Sequence, residues 1–162
     1  MRIYDESTSR TNRLVVKVNW SRELTFSTRQ VNYILDYVPD ERGVYCIYAK
    51  EDKWRYKPRK LSGLVYIGCG WLNERLSRHL QRQENDILAD FLENHELAYR
   101  YDRIYDDDEE EDWPRIAEAA LLDIFKQKYG DIPLANRREE KVPELNCVFT
   151  IEEPYYFSIL DT

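Results

Sequence analysis

Residues 43–70 read GVYCIYAKEDKWRYKPRKLSGLVYIGCG. Two apolar segments, each with a tyrosine close to a glycine, flank a loop dense in lysine and arginine. Residues 43–49 and 64–68 are rich in β-branched and aromatic side chains and are bounded by glycine, which predicts two strands. The connection between them is too long for a tight turn, yet it joins antiparallel neighbours without a crossover helix. Two tyrosines on adjacent strands, with a cationic loop between those strands, set the question that the rest of the chain answers.

Upstream, LVVKVNW (14–20) alternates and predicts a strand with Leu14, Val16, Val18 and Trp20 on one face. STRQVNYILDYVPD (27–40) predicts a helix. Ser27 and Gln30 have capping-box spacing, Val31, Ile34, Leu35 and Val38 form a stripe, and Pro39 ends it. Downstream, WLNERLSRHLQRQ (71–83) predicts a helix buried through Leu72, Leu76 and Leu80. NDILADFLENH (85–95) predicts another, buried through Ile87, Leu88, Phe91 and Leu92. LAYRYDRIY (97–105) alternates as a third strand of this region. A helix is expected from Trp113 to Tyr129, with Pro114 in its first turn and Asp112 as its cap. A loop through 130–144 then leads to a last apolar segment at 145–160. The irregular interleaving of strands and helices predicts an α+β class rather than a doubly wound parallel sheet.

A chain of 162 residues with 43% hydrophobic side chains predicts one domain, 1–162, with an ordinary core. No apolar run is long enough to cross a bilayer, and the polar start MRIYDESTSRTNR is unlike an export signal, so a cytoplasmic protein with no membrane partner is expected. Cys46, Cys69 and Cys147 are scattered without zinc-ligand spacing. The net charge of −7 argues at first against a nucleic-acid partner, but its distribution means that net charge does not decide the question. Residues 102–112 hold eight acidic residues and one arginine, and the rest of the chain is neutral. Residues 50–60 hold six basic residues against two acidic, a patch able to follow a phosphate backbone.

Three further features carry chemistry. Arg75 and His79 lie four apart and share a helix face, with Arg78 and Arg82 beside them. That face is either a solvated basic surface or a phosphate-binding arginine next to a proton carrier. Glu118 falls among Leu122, Phe125 and Tyr129 on its helical wheel, so its carboxylate faces protein and needs a partner: a cation such as an arginine, a donor cluster or a metal. Tyrosines on strands are usually packing residues, and by themselves Tyr45 and Tyr66 read first as packing and only second as paired hydroxyls.

In this order the landmarks resemble the GIY-YIG nucleases. Gly43-Val44-Tyr45 is similar to the first motif, Tyr66-Ile67-Gly68 matches the second, and Arg75 and His79 fill the arginine and histidine places of the following helix. Glu118 in RIAEAALLDIF fits the metal-binding glutamate, and Asn136 in IPLAN fits the asparagine beyond it. The likeness covers residues 40–137, leaving 1–39 and 138–162 as peripheral elements. Two departures are the long basic loop between the tripeptides and the acidic run before Glu118.

The resemblance implies a small, mainly antiparallel, three-stranded sheet flanked by helices. It also implies metal-dependent hydrolysis of DNA phosphodiester bonds with one Mg²⁺ or Mn²⁺ on Glu118. Arg75 would hold the phosphoryl oxygens and Tyr66 would hydrogen-bond one of them, while Asn136 orients Glu118 or a neighbour. Water activation falls to Tyr45, to His79, or to a relay between them. Gly68, Lys53, Arg55, Lys57 and Arg78 are the expected substrate-binding positions, with Trp54 and Tyr56 either stacking on bases or packing. Specificity would come from the loop, a homodimer or a partner protein. The alternative is a DNA-binding or adaptor module on the same fold with little turnover.

Overall fold

The computed structural model describes residues 1–6, 13–27, 29, 31–57, 60–104, 112–136, 148–154 and 157–162. Outside them fall Gln30 of the expected capping box, Arg59 of the basic loop, most of the acidic run (105–111) and Cys147.

The chain is a mixed α+β structure. The elements run β1 (Arg2–Asp5), β2 (Arg13–Lys17), β3 (Leu24–Phe26), α1 (Val31–Tyr37), β4 (Arg42–Ala49), β5 (Trp54–Lys57), β6 (Lys60–Ser62) and β7 (Leu64–Trp71). They continue as α2 (Leu72–Leu80), α3 (Asp86–Asn94), β8 (Leu97–Arg103), α4 (Trp113–Tyr129) and β9 (Val148–Glu152). None of these helices is long and apolar enough to cross a membrane.

The central sheet has the order β3-β8-β4-β7 and is antiparallel throughout. It therefore has four strands rather than the expected three. Leu24–Phe26 is too short to show alternation, and it joins by pairing with Leu97–Tyr99 at the β8 edge. β4 is buried along nearly its whole length because both faces of the sheet are covered. On one face Tyr45, Ile47, Val65, Tyr66 and Tyr99 pack with Ile34, Leu72, Leu76, Leu80 and Leu88 of α1, α2 and α3. On the other, Val44, Cys46, Tyr48 and Ile67 pack against Ala117, Leu121 and Phe125 of α4.

The terminal segments are joined to each other. β2 pairs antiparallel with β1 and parallel with β9. Val16, Val18 and Trp20 carry that second sheet into the α4 core, as the alternation of residues 14–20 predicts.

Three local readings need correction. α2 stops at Leu80 rather than running to residue 83, because the chain turns through Arg82 in the left-handed region (φ 59°). Ile87 is 41% exposed, since α3 meets the core through Leu88 and half-buries Phe91 and Leu92. Asp112 stands at the N-cap of α4 but makes no capping bond; its carboxylate pairs with Arg42. Pro114 does occupy the first turn, and Gly130 closes the helix at φ 85°.

Candidate functional site

Pairing between β4 and β7 sets Tyr45 opposite Gly68 and Ile47 opposite Tyr66. Cross-strand partners share a face, so both tyrosines and Gly68 lie beneath α2. The glycine is required by space. A Cβ at residue 68 would lie 2.5 Å from the Tyr45 hydroxyl and 2.7 Å from Cε1 of Tyr66. The phenol of Tyr45 thus crosses bare backbone, and the two rings stand 6.0 Å apart.

α2 supplies the next two groups. His79 is buried, with Nε2 2.7 Å from the Tyr45 hydroxyl and its ring 5.0 Å from that of Tyr66. Nδ1 of His79 is buried and has no hydrogen-bond partner among the described residues. Arg75, one turn earlier, interacts with both phenols. Burial first, and then the Arg75 charge, lower the pKa of His79 to about 3. The imidazole is therefore neutral at physiological pH and able to accept the Tyr45 hydrogen bond at Nε2. Burial raises the pKa of Tyr45, helped by Tyr66, and burial followed by the charge of Glu118 raises that of Tyr66. Both stay protonated at rest. Tyr45 is 0% exposed and Tyr66 8%, so Tyr66 is the phenol nearer the solvent.

Glu118 approaches from the opposite side of the sheet. Cys69 pairs with Val44, on the α4 face, and its thiol donates to Oε2 of Glu118 at 3.0 Å. Because β7 is the edge strand, the carboxylate and the phenols meet around its Gly68–Gly70 margin, close enough for the Glu118 charge to act on Tyr45 and Tyr66. Burial, and then Glu118, keep the Cys69 thiol protonated.

The donors suit a hard divalent cation held largely by water and substrate. They comprise one carboxylate, only 7% exposed, beside a neutral thiol and neutral phenols. Among the described residues no three His, Cys, Asp or Glu side chains gather into a cage. Mg²⁺ is commonly held by one or two carboxylates with water and phosphate oxygens, so a cage is not required.

Of the two expected targets, Asn136 meets a neighbour of the site rather than Glu118. Its amide accepts from Ile67 N–H at 3.1 Å and donates to Ile67 C=O at 2.8 Å. It acts as a missing strand partner on the β7 edge, fixing the backbone between Tyr66 and Gly68. Ala135 adds a bond from its N–H to the Val65 carbonyl, and buried Asn85 holds the Ala135 carbonyl while capping α3 through Leu88.

Sequence reasoning missed Glu84. The turn after α2 returns this carboxylate to the helix, where Oε2 lies 2.8 Å from Arg75 and Oε1 3.1 Å from Arg78. Arg78 also pairs with Glu74. The only sequence signal was an acid placed just past a basic helix, which commonly marks solvent.

The basic loop lies elsewhere. β5 and β6 form a hairpin leaving the Ala49/Leu64 end of the strand pair, whereas Gly68–Gly70 is toward the other end. The Lys57 side chain lies against Gly130, and Lys60 donates to the Lys128 carbonyl at 2.7 Å. That is the C-terminus of α4, twelve residues beyond Glu118 and so about 18 Å along the helix. Lys50 pairs with Glu96, while Lys53 and Arg55 are exposed. Trp54 packs on Phe91, and Tyr56 on Phe125 and Tyr129. The loop is thus a buttress for α4 with an exposed cationic arm, not a rim at the phenols.

Comparison with protein-family models, with curated proteins and with solved structures finds no match to this chain.

Proposed function

We propose that the protein is a metal-dependent endonuclease that hydrolyses DNA phosphodiester bonds at the Gly68–Gly70 margin of β7, as the resemblance to GIY-YIG nucleases implies. The reading rests chiefly on one observation. Five groups distant in sequence converge on that margin: Tyr45, Tyr66, Arg75, His79 and Glu118.

Glu118 would hold one Mg²⁺ or Mn²⁺, whose chemistry there is to neutralise phosphoryl and leaving-group charge. Arg75, always cationic, binds the phosphoryl oxygens and tightens as negative charge grows on them. Tyr66, the more accessible phenol, donates a hydrogen bond to one oxygen. The attacking water passes a proton to the Tyr45 oxygen as Tyr45 delivers its own to Nε2 of His79, already 2.7 Å away. Burial first, and then the Arg75 charge, lower the basicity of His79; a bound phosphate anion offsets the second of these and so eases the relay. Asn136 and Glu84 position the backbone and the guanidinium and touch no reacting atom.

The test is incubation of the full chain with plasmid and branched DNA in Mg²⁺ or Mn²⁺. Cutting that is abolished in a folded Glu118→Ala variant supports the reading. Binding without cutting by the wild type would favour the adaptor alternative.

A further inference from the structure

We propose that Trp71 is a stacking platform for a nucleobase beside the scissile phosphate, so that the substrate class is DNA with unpaired bases at the cut: a single strand, a flap or a branch. This rests on the phosphodiesterase reading above and names its substrate.

Trp71 closes β7 one residue after Gly70, whose own Cβ position lies 3.2 Å from Cγ of Arg75. By strand alternation it shares the face of Cys69, the partner of Glu118. Its indole therefore flanks the margin that has Arg75 against Gly70 and Glu118 against Cys69. It is 49% exposed, an uncommon fate for tryptophan. Among the described residues its ring has no aromatic neighbour, whereas Trp54 is packed edge-on to Phe91 and His95 and Trp20 is buried.

The charges nearby point the same way. Arg42, directly across the strand from Trp71, pairs with Asp112. Arg75 and Arg78 pair with Glu84, and Arg103 with Glu41. A surface that tracks duplex DNA offers many cations to phosphates. Here the arginines around the phosphate-binding Arg75, namely Arg42, Arg78 and Arg103, already have carboxylate partners, while the Trp71 indole is half-exposed. Stacking on aromatics is tolerant of base identity and serves unpaired strands.

The experiment measures binding by the full chain, in EDTA and again in Ca²⁺, of a fluorescein-labelled oligothymidine and of a blunt duplex of the same length. Single-strand binding should quench tryptophan emission in the wild type and not in Trp71→Phe. Trp71→Ala should weaken single-strand binding roughly five- to hundredfold, with Trp71→Phe restoring most of it and duplex binding unchanged. Equal affinity of wild type and Trp71→Ala for the single strand, or equal losses on both probes, overturns the stacking role and leaves the phosphodiesterase reading standing. Absence of binding to either probe in both conditions overturns both.

Discussion

The hydroxyl of Tyr45 lies 2.7 Å from Nε2 of His79, thirty-four residues away along the chain, with both side chains buried and the phenol set against Gly68 at the margin of β7. A phenol whose pKa is raised and an imidazole whose pKa is lowered share one proton there, and burial is the main cause of both shifts.

That pair gives stability a definite pH dependence. His79 shifts from an ordinary 6.5 to about 3 on folding. Between those values the unfolded chain binds a proton that the folded protein refuses, so stability falls as pH falls. The slope is about 1.4 kcal/mol per pH unit. Urea unfolding at pH 6.5 and pH 5 should show a loss about 2 kcal/mol larger for the wild type than for His79→Gln. Parallel losses would mean that His79 titrates normally.

Gly68→Ala should disrupt the pair without touching either member. Its methyl group would overlap the Tyr45 hydroxyl, which is held between residue 68 and His79. The expected cost is about 1–3 kcal/mol in chemical denaturation, with loss of cleavage. Full stability together with full cleavage would show that the strand margin is looser than described.

Glu84→Gln removes the charge that braces Arg75 and Arg78 while keeping the side chain's shape. If Glu84 positions the guanidinium for the transition state, kcat should fall about ten- to hundredfold with KM little changed. A raised kcat would instead make Glu84 a competitor that substrate must displace.

Lys60→Gln tests the basic hairpin. Its ammonium caps a carbonyl at the end of α4, so stability should drop by less than about 1 kcal/mol and cleavage should stay within about twofold. A large loss of cleavage would return the hairpin to the substrate path.

Much of this arrangement was legible in the residues because local rules governed it. Alternation placed Val16, Val18 and Trp20 inward, and the 3.6-residue period buried Leu72, Leu76 and Leu80. The wheel position of Glu118 correctly set its carboxylate against protein. What stayed hidden depended on tertiary return. Leu24–Phe26 is a strand only because β8 offers an open edge. Glu84 reaches Arg75 only because Arg82 turns the chain back, and Asn136 reaches Ile67 only because a loop folds along an unpaired strand. The basic loop misled because charge composition is blind to where a hairpin leans; two of its lysines, Lys57 and Lys60, lie at a helix C-terminus, where cations are favoured.

The central claim is that these groups work as a unit on one phosphate, and single-turnover cleavage by Tyr45→Phe, Glu118→Gln and the double variant tests it most directly. Groups acting in one step are strongly non-additive, so each single change should remove nearly all of the rate and the double variant should be no slower than the worse single. Independent, additive losses, or a wild-type protein that leaves DNA intact in Mg²⁺ and Mn²⁺, would contradict the account.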